Sequence, residues 1–128
     1  MMKKNPITVL IKKVDEPIYE AVIEDCLDSY YKIIDCDCIE FYYPFEERPN
    51  ICCIIDECGR LNRKLIAWRI PKSTIGLNGT IIFAKDDGRG NTIGLNEEDI
   101  AFIKKQCPLD HYRTFESDFD CSFTFIGW

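Results

Sequence analysis

The run Ile51-Cys52-Cys53-Ile54-Ile55 is apolar at every position and ends in Asp56. It is short, it lacks the alternation of a half-solvated strand, and isoleucine dominates it. Such a segment reads as a central strand covered on both faces. The rest of the chain therefore has to supply neighbouring strands and the layers that cover them.

Ile7 to Ile11 reads as a first strand, Asp15-Glu16-Pro17 as a turn, and Ile18 to Ile23 as a returning strand. Cys38 to Tyr43 has period two, with Ile39, Phe41 and Tyr43 on one face. Thr80 to Ala84 is a further strand, and Leu61 to Ile70 leans to strand ending in a loop. Two segments have helical spacing. Ile23, Leu27, Tyr30, Tyr31 and Ile34 share one face, with Asp25 as the expected N-cap. Asn96 caps a second helix, whose buried side is Ile100, Ile103 and Cys107 and which Pro108 stops. Glu57-Cys58-Gly59 predicts a tight turn with Gly59 at positive φ, and Asn78-Gly79 another. Lys85 to Asn91 reads as a hairpin tip, and Ser122 to Phe125 alternates as a last strand. The expected fold class is α+β, a mostly antiparallel sheet of about five to seven strands with two helices packed on it. With no linker or repeat, residues 1–128 form one domain.

Composition narrows the function classes. The formal net charge of −6 opposes non-specific binding to nucleic acid or to an anionic membrane, so a basic nucleic-acid reader fits poorly. The first apolar stretch, Ile7 to Ile11, runs straight into Lys12 and Lys13 and is too short for a signal core or a membrane span. A cytoplasmic location in a bacterial cell is the expectation. Eight cysteines, at 26, 36, 38, 52, 53, 58, 107 and 121, then read as reduced thiols. No C-x-x-C pair is present, and Cys53-x4-Cys58 with Cys107-x3-His111 is a poor zinc pattern, so neither metal nor cofactor is expected.

No catalytic set stands out. His111 is the sole histidine, and only Cys107 lies at a spacing to pair with it. After a helix-stopping proline, the plainer reading is a dispensable surface residue. The carboxylates of Asp35, Asp37, Glu40, Glu46, Glu47, Asp56 and Glu57 are what an acidic soluble chain displays anyway. Lys85 to Asn91 lacks the G-x-x-x-x-G-K-[ST] pattern of a phosphate loop. Arg60, Arg63 and Arg69, with Lys64 and Trp68 among them, are the densest basic cluster. Arginine forks match phosphate or carboxylate and an indole stacks on a base, so this is the candidate ligand-binding region; the alternative is a cationic face paired with the chain's own acids. In the tail, Glu116, Asp118 and Asp120 alternate with Phe115, Phe119 and Phe123. Spaced carboxylates can imitate a phosphate backbone toward a partner, although an amphipathic edge strand has the same pattern. Glu116, Asp118, Asp120 and Phe119 are the candidate partner-binding residues.

The order of motifs resembles an uncharacterised domain family of phages, plasmids and conjugative elements, mainly of Firmicutes. The likeness rests on Thr8-Val9-Leu10-Ile11 with Glu16-Pro17, the helix leading into Cys38-Ile39-Glu40-Phe41-Tyr42, and the run Ile54 to Arg63. Gly79-Thr80-Ile81-Ile82-Phe83 and the helix start from Leu95 to Ile103 complete it. It spans about residues 7–107, leaving 108–128 as an acidic-aromatic extension, and departs from the pattern at Asp35-Cys36-Asp37, where the family has glycines. The resemblance implies a setting, an accessory gene of a mobile element, and carries no activity over. Together with charge and size it leads to the expectation of a non-enzymatic binding protein that acts on a host protein, such as one of a defence system. The alternative is a small-ligand or nucleotide-sequestering protein using the Arg60–Arg69 region.

Overall fold

The computed structural model describes residues 6–71 and 73–107. In chain order the elements are β1 (Pro6–Lys12), β2 (Tyr19–Glu24), α1 (Leu27–Ile34), β3 (Ile39–Tyr42), β4 (Ile51–Asp56), β5 (Ile66–Arg69), β6 (Gly76–Asn78), β7 (Ile81–Asp86), β8 (Thr92–Ile93) and α2 (Glu97–Gln106). The main sheet has the order β2-β1-β7-β4-β3, with the short β8 also paired to β7, and β5 and β6 form a separate hairpin. Every pairing is antiparallel. The α+β reading holds: two helices flank a six-stranded antiparallel sheet, and a small second sheet is added.

The apolar run behaves as its composition dictates. All six residues of β4 are buried, and its side chains divide by the two-residue period of a strand. Cys52 and Ile54 pack with Tyr30 and Ile34 of α1, together with Val9, Ile11 and Ile82. Ile51, Cys53 and Ile55 face the other way, toward Trp68, Leu77 and Ile103. One face of the sheet is thus covered by α1, and the other by α2 with the β5–β6 hairpin. The molecule has three layers, and β4 is buried because it lies in the middle one, between β7 and β3.

Local chemistry follows the sequence in most places and departs from it in three. Asn96 caps α2 in a full capping box: its side chain accepts from the Asp99 amide, and the Asp99 carboxylate accepts from the Asn96 amide. The 87–91 tip is a loop with Gly88 and Gly90 at φ +79° and +92°. By contrast, α1 begins at Leu27 with Cys26 at the N-cap and no side-chain cap, while Asp25 instead accepts a hydrogen bond from the Tyr30 hydroxyl. That phenol already reaches Asp25 from the first turn, so the carboxylate serves the side chain rather than the orphan amides. Second, Gly59 is not at positive φ; a Cβ there would sit 2.8 Å from the Asn78 carbonyl oxygen, so close backbone approach is what requires glycine. Third, the Leu61–Ile70 segment becomes strand only at β5, after a run of turns ending in Arg63 at φ +60°. The expected last strand at Ser122–Phe125, and His111, lie outside the described residues. Among those described, no helix is long and apolar enough to cross a membrane.

Candidate functional site

Where β4 ends, the buried carboxylate of Asp56 organises the following turn. Oδ1 accepts the Cys58 amide at 2.8 Å, and Oδ2 accepts Lys64 Nζ at 2.8 Å and Asn62 Nδ2 at 3.3 Å. Lys64 Nζ also donates to the carbonyls of Ile34 and Asp35, at 3.1 and 2.6 Å, which are the last carbonyls of α1. Those carbonyls are orphans of the helix end, and a cation there is favoured by the helix dipole. An ammonium has three protons, and here each has an acceptor. Asn78 Nδ2 holds the Lys64 carbonyl at 2.8 Å, and Gly79, at φ +86°, lets the lysine stem pass. Burial pushes the Asp56 carboxyl up, but the Lys64 ammonium, the Cys58 amide and Asn62 outweigh it and hold the group below the usual carboxylate range.

A second buried carboxylate follows the same logic. Asp99 takes Lys85 Nζ at 2.7 Å and Arg48 Nη1 at 3.4 Å besides the Asn96 amide. Burial again opposes ionisation, and Lys85, the Asn96 amide and Arg48 again prevail, so its carboxyl is held low. Arg48 also lies over the Phe102 ring, 5.1 Å from the centroid. An open cleft of about 220 Å³ borders this triad, and another of about 290 Å³ borders Lys64, Asp35 and Leu65. These volumes lie at or below the low end of the roughly 300–1,000 Å³ of small-molecule sites.

The structure separates the sequence-derived ligand region into two parts. Arg60 and Arg63 are exposed neighbours in the turn after Asp56, with the Arg63 amide bonded to the Arg60 carbonyl at 3.1 Å. Two further bonds, Asn62 amide to Cys58 carbonyl at 2.8 Å and Lys64 amide to Gly59 carbonyl at 3.0 Å, wind this turn tightly. Leu61 and Leu65 project from the same turn, 81% and 69% exposed. Trp68 does not join them. It is 0% exposed, its Nε1–H donates to the Gln106 carbonyl at 2.8 Å at the end of α2, and its ring packs against Phe45 and Phe83. The indole is a core residue, so no face of it is open to a base. Arg69 sits half-buried on β5, in register with Gly76. The candidate partner-binding residues Glu116, Asp118, Phe119 and Asp120 lie outside the described residues.

Sequence reasoning missed both buried carboxylates. For Asp56 the signal was its place at the end of a wholly apolar strand, where solvation by water is not on offer. For Asp99 it was the Asn96-x-x-Asp99 spacing of a capping box. The seven cysteines that are described are unpaired in the structure. Burial pushes the Cys52 and Cys107 thiols up to about 12, with Lys12 opposing the shift at Cys107, and it pushes fully enclosed Cys53 well above the ordinary value. None of these three is poised as a nucleophile.

The family described as "Domain of unknown function (DUF3846)" matches residues 7–108. The chain belongs to that family. The DUF3846 match begins within β1 and ends just past α2, so it takes in the whole layered core and both carboxylate centres. Comparison with curated proteins and with solved structures yields no match.

Proposed function

We propose that this DUF3846 chain is a small non-enzymatic binding protein that works by protein–protein contact. The observation that carries the reading is the contrast between its polar centres and its surface. Asp56 and Asp99 are consumed internally by lysine, arginine and backbone partners, which makes them devices for holding loops. The turn that Asp56 holds presents Arg60, Leu61, Arg63 and Leu65 outward. Arginine beside exposed aliphatic side chains on a preorganised loop is what a protein interface uses, since little ordering entropy remains to be lost on docking. The acidic-aromatic residues Glu116, Asp118, Phe119 and Asp120 supply a second contact, attractive to a basic groove on a host protein. The nucleotide-sequestering alternative is weakened because Trp68 cannot stack on a base.

The setting we infer is a phage or mobile element whose accessory protein acts in the bacterial cytoplasm against a host defence system. This rests on the resemblance carried by the Ile54–Arg63 and Gly79–Phe83 motifs and on the net charge of −6. The test is retention of a host protein on the tagged full chain at physiological salt, compared across two variants. One is Arg60→Gln/Leu61→Ser/Arg63→Gln; the other replaces Glu116, Asp118 and Asp120 by their amides. Loss of a specific partner in either variant, with unchanged thermal stability, is expected. A partner retained equally by both, or direct binding of DNA or RNA by the wild type, contradicts the proposal.

A further inference from the structure

The chemistry of the Arg60–Leu65 turn is matched by a stretch of the chain's own sequence. In Arg60-Leu61-Asn62-Arg63-Lys64-Leu65, two exposed arginines stand among leucines that are 81% and 69% exposed. No other described stretch holds two exposed arginines. Neither guanidinium has a hydrogen bond or an ion pair among the described residues, although the chain carries 22 aspartates and glutamates. Arg63 stands at φ +60°, a conformation that strains a non-glycine residue, in the turn that the Asp56–Lys64 pair anchors. Leu65 also lines the cleft of about 290 Å³, together with the apolar Val14 and Ile34. The turn thus offers fixed positive charge beside apolar surface, and the described chain spends neither.

We propose that residues 115–120 of the same chain, Phe115-Glu116-Ser117-Asp118-Phe119-Asp120, dock on this turn and mask it until a partner takes them. This rests on the protein–protein reading above, in which the turn and the acidic-aromatic segment are the two contacts. The segment lies outside the described residues; its charge, its apolar side chains and its tether make it the occupant. Three carboxylates meet two arginine forks, which is a charge-assisted pairing. The phenylalanines bring apolar side chains to Leu61, Leu65 and the cleft. Reach is assured as well. Trp68 Nε1–H donates to the Gln106 carbonyl at 2.8 Å, so α2 ends against β5, and Leu65 stands roughly 10 Å along the strand from Trp68. Phe119 follows Cys107 by twelve residues, a span of up to about 40 Å. A tether of this length sets an effective concentration on the order of millimolar, at which a weak contact is populated. Asp35, exposed at the same cleft, opposes the incoming carboxylates and keeps the latch weak. A host protein whose basic groove captures Glu116, Asp118 and Asp120 then withdraws the segment and frees the turn for its own use.

The test is nuclear magnetic resonance of the full chain with no partner present. Nuclear Overhauser contacts are expected between the Phe119 ring and the methyl groups of Leu61 or Leu65, unchanged on dilution and weakening as salt rises. Glu116→Gln/Asp118→Asn/Asp120→Asn and Arg60→Gln/Arg63→Gln should each lower the docked-to-free ratio roughly tenfold, as the charge-assisted pairs are lost. Asp35→Asn should raise it. Arg60→Glu/Arg63→Glu should abolish the contacts, and adding Glu116→Lys/Asp118→Lys/Asp120→Lys to that variant should restore them. A wild type without contacts between Phe119 and either leucine overturns the proposal. So do contacts that persist in both neutral variants, and contacts that grow with concentration, which belong to two copies of the chain. Retention of a host protein is measured separately, so a failed latch leaves the protein-contact reading standing, and a failed retention leaves the latch to be judged on its own contacts.

Discussion

At the residue scale, Asp56 and Asp99 dominate. Each is a buried carboxylate whose charge is kept by a lysine and by backbone amides. Removing one partner leaves the other charge stranded, a larger loss than the pair's own worth. Asp56→Ala should lower unfolding free energy by about 2–4 kcal/mol, and Lys64→Met somewhat less because the Asn62 and Cys58 donors remain; denaturant titration measures both. The pH dependence follows in sign. Both carboxyls are held below the ordinary range in the fold, so their stabilisation is complete above the unfolded value of about 3.9 and is lost as pH falls through the lower folded values. The unfolding free energy should fall steeply below about pH 4, and an Asp56→Asn/Asp99→Asn variant should show a flatter profile there. An unchanged slope would remove these groups from the account. Thiol reactivity gives an independent check: Cys38 is exposed and should react promptly in the native protein, whereas Cys52, Cys53 and Cys107 should react only after unfolding.

At the scale of elements, the sequence was most legible where one physical demand had one solution. The unbroken apolar run could only be a two-faced strand, and Asn96 before three acids could only open a helix. The Lys85–Asn91 tip was legible through its glycines. What stayed hidden depended on partners distant in sequence. Trp68 looked like part of a cationic surface because it stands between basic residues. Its place is decided by Phe45, Phe83 and the end of α2, which the local sequence does not show. Gly59 looked like a positive-φ residue, whereas the constraint comes from Asn78 across the turn. Two substitutions separate these causes. Gly59→Ala should destabilise by about 1–3 kcal/mol through overpacking against backbone. Asn96→Ala should cost about 1 kcal/mol through the lost cap. Thermal or denaturant unfolding reads both, and a neutral Gly59→Ala would mean that the turn yields freely, against its role as a rigid mount for Arg60 and Arg63.

For the whole molecule, three layers leave the Asp56 and Asp99 centres inside and the Arg60–Leu65 turn outside, and the proposed binding role rests on that arrangement. The candidate site was half legible: the arginines stood out as a cluster, but their companions are leucines rather than the tryptophan that adjacency in the chain had implied. The central claim is contact with a protein and not capture of an anionic small molecule. It is tested most directly by the thermal unfolding of the full chain against a panel of nucleotides at physiological salt. The account predicts no stabilisation by any of them. Stabilisation that climbs with ligand, reaching about 2.7 kcal/mol at a hundredfold excess over Kd and abolished in Arg60→Gln/Arg63→Gln, would contradict it.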